Sequence, residues 1–474
     1  MFNTWKMFGM SIAVATDSYK ASHAEQYPKK TRRVTSHMVA RGSKIADYIL
    51  WYGIYYYLKK YLAGVVITKT DVDKAEKFWN AHFGYNVFKR EHWDYIVENH
   101  GGKLPVRIRA VKEGTKVGNH NVLMIIENTD DKCWWLTNFI ETLLMKVWYT
   151  STVATNSAEI RKTILQYLEE TGTPGDIWFK CHDFGYRGVS SEETAALGGS
   201  AHLLSFMGTD TVAGIFLAQD VYNTEEMIGF SVPASEHSTI TSWGKVDEVK
   251  AFENMLDTYP EGIVACVSDS FHILEAIDKW GTLKHKIETR KGRLVIRPDS
   301  GDPARTDLAV IEKIGSIFGY TVNAKGYKVL PDYIRVIQGD GVSRTSIAHI
   351  LETLKNAGWS ADNIGFGSGG KLIQDFNRDD FNFAIKCCEV DVDGEIRYID
   401  KTPVEINENG ELVFSFKTSK KGNMKLVKDG DGFRTVTALD ADYDFAKDEM
   451  EVIFENGEIL VHPRFEDIRA RATA

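Results

Sequence analysis

Cysteine is scarce in this chain and comes in no paired pattern. Cys133, Cys181, Cys266, Cys387 and Cys388 make an odd count with no C-x-x-C spacing. That argues against a disulfide framework and a cysteine-rich zinc site, and fits reduced thiols in a cytoplasmic protein. Proline is scarce too, at ten residues, so rigid proline-rich linkers are not expected. No apolar run is long: the greasiest uncharged stretch, Tyr48 to Leu58, falls far short of the roughly 20 residues of a membrane helix. It reads as a core helix, and no membrane partner is expected. Met1-Phe2-Asn3-Thr4-Trp5-Lys6 has neither a long apolar core nor a small-residue cleavage pattern, so a secretory leader is not expected either. Positive charge is not in excess. A net charge of −9 argues against a general nucleic-acid binder, while leaving room for a local basic pocket. Common catalytic signatures are missing as well. Gly370-Lys371 is followed by Leu372 and Gly244-Lys245 by Val246, so there is no Walker A loop, and neither G-x-S-x-G nor H-E-x-x-H occurs.

What remains is a well-furnished globular chain. Its 474 residues exceed the size at which one core keeps growing, which predicts two domains or one with a large elaboration. Apolar residues make up 43% and charged residues 26%, while 12% aromatic content points to large buried or stacking surfaces. Residues 1–175 mix helical patterns with short strands such as Val106–Val111, which alternates as a half-buried strand does. An amphipathic helix is predicted over about Asn156 to Glu170, with Ile160, Ile164, Leu165 and Leu168 on one face and Gly172 to end it. From 176 to 385, apolar runs end in glycine- and aspartate-rich turns, each followed by a helical pattern. The runs are Ile263–Val267 before Ser268-Asp269-Ser270, Leu294–Ile296 before Arg297–Gly301, Ile334–Ile337 before Gln338–Gly341, and Ile364 before Gly365–Gly370. That texture predicts an α/β fold with an irregular (β/α) barrel-like domain whose site gathers at the C-terminal strand ends. From 386 to 474, Asp393-Gly394, Asn409-Gly410, Asp429-Gly430 and Asn456-Gly457 mark hairpins. This β-rich tail is expected to join the N-terminal part in a second, mixed α+β domain built from both chain ends.

The run His182-Asp183-Phe184-Gly185-Tyr186-Arg187-Gly188 carries most of the chemistry. It follows a strand-like stretch, Ile177–Lys180, and precedes a helix start where Ser190 and Glu193 stand at capping-box spacing. An aromatic, a glycine and an arginine at such a junction suit a flat ring beside an anion, or simply a packed aromatic corner. Gly339-Asp340-Gly341 and Gly367–Gly370 are suited to backbone approach to a phosphate, although a glycine turn is usually only a turn. Gly365–Gly370 also fits G-x-G-x-x-G with Glu389 downstream; the thin preceding strand and the hairpins that follow argue against a dinucleotide fold. Asp269, Asp299 and Asp340 suit ribose hydroxyls or a magnesium-bound diphosphate, or else helix capping. His237, with a carboxylate such as Asp269 to orient it, suits a phosphate acceptor or general base.

Taken in order, these blocks resemble the nicotinamide phosphoribosyltransferases of the type II phosphoribosyltransferase family. The blocks are Ala15–Lys20, Thr152–Ser157, the heptapeptide, Gly208–Gly214, the His237 segment, Ile296–Gly301, Val336–Gly341 and the Gly367 turn. The resemblance implies a head-to-tail homodimer with shared active sites that takes nicotinamide and phosphoribosyl pyrophosphate, with ATP as coupling substrate. Mg2+ would be held mainly through substrate phosphates. It implies that Phe184 and the partner's Tyr19, near Asp17, sandwich the nicotinamide ring, with Asp210 and Ser231 beside it. Arg187, Gly339, Gly369 and Gly370 would hold the nucleotide phosphate, and Arg41, Arg378, Lys386 and Lys401 would reach phosphates across the interface. Asp299 and Asp340 would bind the ribose with Arg297 around it, and His237 would be phosphorylated by ATP with Asp269 near it. Two positions depart from the family pattern: Lys371 replaces a third glycine, and Ala265 replaces a serine of the pocket. The alternatives are a nicotinate phosphoribosyltransferase, a barrel glycosidase with paired carboxylates, and a non-enzymatic homologue. The glycosidase leaves the glycine turns unexplained, and the last would be expected to lose His237, Asp299 or Arg297. Asp210 favours the amide over the acid, because nicotinate would bring like charge to its carboxylate.

Overall fold

Two sheets of opposite character organise the chain, one antiparallel and one parallel. The computed structural model describes residues 10–401, 404–406, 409–414 and 420–474; the amino-terminal stretch Met1–Lys6 lies outside them. The chain divides into two compact units. One comprises residues 1–152, 221–223 and 377–471, and the other 153–220, 224–376 and 472–474. Among the described residues no helix is long and apolar enough to cross a membrane.

The first unit carries a seven-stranded sheet drawn from both chain ends. Thr31–Val39 pairs antiparallel with Ala384–Val392, and Val106–Ala110 with Glu451–Glu455. Val106–Ala110 alternates buried and half-buried, as its sequence requires. Each expected hairpin forms at its Asx-Gly turn. Asn456 and Gly457 both adopt positive φ, the twist that a two-residue loop needs between right-twisted strands. The greasy stretch is buried but is not one helix: Tyr48–Leu50 is a strand, and after left-handed Gly53 a short helix runs Ile54–Tyr57. Glu113 explains the break. Its buried carboxyl accepts the N–H groups of Gly53 and Ile54 at 2.7 Å, capping that helix from the side. Burial pushes this carboxyl up to about 7.

The second unit holds six parallel strands: β1 (Cys181–Asp183), β2 (Gly208–Thr209), β3 (Glu261–Val267), β4 (Lys291–Arg297), β5 (Ile334–Gln338) and β6 (Ile364–Ser368). Their order is β2-β1-β6-β5-β4-β3. An irregular segment bridges the two edge strands in parallel, through Phe230 to Gly208 and Ala234 to Ala265. Ala265 N–H donates to the Pro233 carbonyl at 2.9 Å, and Ser235 N–H to the Ala265 carbonyl at 3.0 Å. This is the irregular barrel-like sheet that the sequence texture predicted.

Several local expectations change. The amphipathic helix begins earlier, at Val147, and runs to Thr171. Ile177–Phe179 is no strand; Pro174–Phe179 is a 3-10 helix opened by its proline, and β1 starts only at Cys181. Lys180 explains the boundary. Its buried ammonium donates to the carbonyls of Ala361, Asp362 and Ile364 at 3.0, 3.0 and 3.1 Å, anchoring β1 to the entry of β6. The helix Glu192–His202 is capped by Ser191, whose hydroxyl accepts Thr194 N–H at 3.1 Å. Ser190 instead gives its N–H to Gln374 Oε1. Gly365–Ser368 is strand β6 itself, so the second glycine turn shortens to Gly369-Gly370. All five cysteines are free, four buried and Cys387 partly so. Burial pushes the thiols of Cys133, Cys266 and Cys387 up to about 12.

Asp307, on the inner face of helix Pro303–Phe318, is buried, and neither of its carboxyl oxygens has a hydrogen-bond partner. Burial, then Asp302, pushes its carboxyl up to about 8. A raised folded pKa means that folding takes up a proton. The stability this group allows is fullest below the ordinary carboxylate range and is lost as pH rises toward 8. Asp307→Asn should therefore melt above the parent by several degrees at pH 8, taking about 2–4 °C per kcal/mol for a domain of this size. The advantage should shrink at pH 5; thermal melts at both values check it, and a pH-independent difference rejects it.

Candidate active site

Parallel strands deliver their following turns to one end of the sheet, and there the chain places most of its candidate residues. Phe184 and Arg187 follow β1, Asp210 follows β2, Asp269 follows β3, and Asp299 follows β4. Gly339 and Asp340 follow β5, and Gly369 and Gly370 follow β6. The closing segment adds Ser231 and His237 between the edges.

Phe184 is half-buried, and its N–H bonds to the Ser368 carbonyl at 2.9 Å. Its ring lies directly over Gly367: a Cβ built there would stand 1.9 Å from Phe184 Cε2. Gly367 is thus a site residue that the motif contained but the site reasoning passed over. Gly208 plays the same part for His182, with a built Cβ 2.6 Å from the imidazole. Burial lowers the His182 pKa, against the opposing pull of Asp210. Asp183 is buried, accepts Gly185 N–H at 2.7 Å, and is pushed up to about 6 by that burial. Asp210 is tied to it by its backbone, with N–H to the Asp183 carbonyl at 2.9 Å. One Asp210 oxygen, Oδ1, accepts the Ser231 hydroxyl. Its Oδ2 has no hydrogen-bond partner among the described residues. Ala265 is nearly buried on β3, its backbone engaged in closing the sheet.

Arg187 stands exposed in the turn Tyr186–Gly188, without an ion-pair partner among the described residues. The turn lies against the start of helix Gly370–Ile373: a Cβ on Gly188 would come 3.5 Å from Gly370 N, and one on Gly185 would strike Ile373 Cγ1 at 2.5 Å. Arg187 is therefore brought together with the Gly369-Gly370 turn. Ser368 Oγ donates to the Val342 carbonyl at 2.8 Å, tying that turn to the one after β5. Lys371, at the departure from the family pattern, begins the helix and pairs with Asp375 at 2.6 Å.

The acidic side of the ring is closely linked. Arg297 Nη2 lies 3.8 Å from Asp299 Oδ2, and a Cβ on Gly339 would stand 2.9 Å from Asp299 Oδ1. Burial raises the Asp299 pKa, Asp269 and Asp340 push it further, and Arg297 and His237 oppose. Such crowded carboxylates suit a ligand group that brings positive charge and relieves their repulsion. Asp340 is exposed, its carbonyl accepting Gln338 Nε2 at 2.8 Å. His237 opens the short helix His237–Thr241, with its Nε2 3.0 Å from Asp269 Oδ1.

The remaining candidates belong to the first unit. Asp17 precedes the 3-10 helix Ser18–Gln26 without capping it, its carboxylate instead accepting the Thr142 hydroxyl at 2.6 Å. Tyr19 is 60% exposed, its ring edge-on to His23 at 4.8 Å. Arg41, Arg378, Lys386 and Lys401 form one electrostatic group. Burial, then Arg41, lowers the Lys386 pKa, with Lys401 and Arg378 adding to it; burial, then Arg378, lowers that of Arg41. Arg41 and Lys386 line a cavity of about 180 Å3 together with His37, His120 and Lys420. Burial brings the His37 imidazole down to about 4. Distances along the chain gave no sign of these three additions.

The chain is similar to known proteins in sequence and in fold. The model of the nicotinate phosphoribosyltransferase (NAPRTase) family matches residues 179–425, and that of the nicotinamide phosphoribosyltransferase N-terminal domain matches 11–108. A nicotinamide phosphoribosyltransferase of Xanthomonas campestris is 43% identical, over 98% of each chain. One of Acinetobacter baylyi is 30% identical over 96% of each. In fold, the chain is similar to human nicotinic acid phosphoribosyltransferase (TM-score 0.57, 14% identity, 97% of this chain and 93% of that one). It is also similar to a nicotinate-nucleotide pyrophosphorylase of Pyrococcus furiosus (0.55, 17%, 98% and 95%).

Gly367→Ala tests the floor of the site. A methyl at 1.9 Å from the ring cannot coexist with it, so Phe184 should be displaced in a crystal structure of the variant. An unmoved ring would show that β6 yields instead.

Proposed function

The chain belongs to the nicotinate phosphoribosyltransferase (NAPRTase) family, and on that premise we propose that it transfers the phosphoribosyl group of phosphoribosyl pyrophosphate to nicotinamide, giving nicotinamide mononucleotide and pyrophosphate in NAD salvage. The observation that carries the choice of base is Asp210. Its Oδ1 is occupied by Ser231 and its Oδ2 has no partner among the described residues, so it suits the carboxamide NH2 of nicotinamide. The carboxylate of nicotinate would face like charge there.

The reaction is a displacement at the anomeric carbon. The C1–O bond to pyrophosphate breaks with its electron pair leaving on oxygen, and the ring nitrogen lone pair forms the new C1–N bond. Phe184 over Gly367 would align the ring for that attack, with Tyr19 of the partner subunit on the opposite face of a homodimer's shared site. Asp299 and Asp340 would hold the ribose hydroxyls, and their charge favours an oxocarbenium-like transition state. Arg187 with the turns at Gly339, Gly369 and Gly370 would seat the nucleotide phosphate. Arg41, Arg378, Lys386 and Lys401, coming from the partner, would neutralise the departing diphosphate; the repulsion that Lys386 and Arg41 feel from neighbouring cations favours an anion beside them. Magnesium held on the diphosphate would add neutralising charge beside Asp299 and Asp340.

ATP would enter through His237. A carboxylate only accepts, so His237 Nε2–H donates to Asp269 and the lone pair lies on Nδ1. That nitrogen forms an N–P bond to the γ-phosphorus while the P–O bond to ADP breaks. Hydrolysis of the phosphohistidine then releases phosphate and drives the transfer.

Incubating the protein with nicotinamide, phosphoribosyl pyrophosphate, magnesium and ATP should yield nicotinamide mononucleotide by mass spectrometry. His237→Ala should abolish the gain from ATP, and no product from folded parent protein rejects the reading. Asp210→Asn should narrow the nicotinamide-to-nicotinate ratio of kcat/KM by roughly tenfold or more, the scale of one unpaired polar contact. An unchanged ratio would favour the nicotinate reading.

A further inference from the structure

Three segments of the barrel unit meet on one carboxylate. The side chain of Asp269, just after β3, is 5% exposed. Its Oδ1 lies 3.0 Å from His237 Nε2 on the closing segment. Its Oδ2 accepts Asp299 N–H at 3.0 Å and the Ser300 hydroxyl, both from the loop after β4. The terminal torsion of an aspartate is soft and roughly two-fold, so a carboxylate held by one partner swings readily. Two donors on Oδ2 remove that freedom and keep Oδ1 aimed at the imidazole.

We propose that Ser300 is a positioning residue for His237: through Asp269 it holds the imidazole in the tautomer and orientation that present Nδ1 to a phosphoryl donor. The loop carrying the ribose-side carboxylate of Asp299 is thereby tied to the histidine that takes the phosphate. This rests on the ATP-coupled reading above.

A purely structural role for the Ser300 hydroxyl has less support, because other features hold the loop. Gly301 takes φ +93, where a Cβ would also come 2.8 Å from Thr306 Oγ1. Asp302 caps the next helix by accepting Arg305 N–H at 3.0 Å, and Pro303 opens that helix. Removing one hydroxyl leaves all of these in place.

The test uses the full chain, γ-labelled ATP and rapid quenching, and counts acid-labile, alkali-stable phosphate. Ser300→Ala should form phosphoenzyme roughly ten- to a hundred-fold more slowly, the usual cost of losing a group that orients a working imidazole. KM for nicotinamide should stay within about twofold and the melting temperature near the parent's, since Ser300 is not among the ring- or phosphate-holding residues. Ser300→Thr, which keeps the hydroxyl, should recover most of the rate. Parental phosphorylation rates in Ser300→Ala, or a Thr variant as slow as the Ala one, would overturn the proposal. Absence of label from the parent protein, with His237→Ala as the blank, would instead reject the ATP-coupled reading on which it stands.

Discussion

Closure of the parallel sheet by a strand that is barely a strand is the constraint on which the site depends. The segment from Phe230 to Ser235 meets each edge through only a few backbone contacts, at Gly208 and Ala265. Those contacts do two things at once. They satisfy edge groups that a six-stranded open sheet would leave exposed. They also lay Ser231 beside Asp210 and His237 beside Asp269, so that the two edges of the sheet become neighbours in chemistry. A regular strand would have turned alternate side chains toward the core. The irregular one is free to present a hydroxyl at one end and an imidazole at the other.

Charge is distributed unequally around the candidate groups. The mouth of the barrel unit gathers carboxylates around Asp299, whose proton affinity is raised by burial and then by Asp269 and Asp340. The other unit gathers cations around Lys386 and Arg41, whose proton affinity is lowered by burial and then by neighbouring cations. Each set carries unfavourable self-energy, and a group of opposite charge bound at that set relieves it. The reaction proposed here has a cationic transition state and an anionic leaving group.

Much of this was legible in the sequence. Apolar runs ending in Asp269, Asp299 and Gly339 located strand ends because a buried parallel strand must be apolar throughout and must stop where polar residues begin. Asx-Gly pairs marked the hairpins because those turns need positive φ. What stayed hidden depended on contacts distant in sequence. Nothing near Lys180 announces that three carbonyls some 180 residues later will hold its ammonium and move the start of β1. Similarly, Ser191 and not Ser190 caps the helix, while the Ser190 N–H goes to Gln374, some 180 residues away. Gly367 was visible as a glycine, but its purpose emerged only with the Phe184 ring above it.

The scarce cysteines acquire a meaning of their own from the fold. Peroxides and alkylating electrophiles attack thiolate, and a thiol pushed up to about 12 is almost entirely protonated near neutrality. Cys266, on β3 just short of Asp269, is buried there and accepts the Ser235 hydroxyl on its sulfur. At these three positions the fold thus keeps the thiolate, the form that electrophiles capture, in short supply near neutrality.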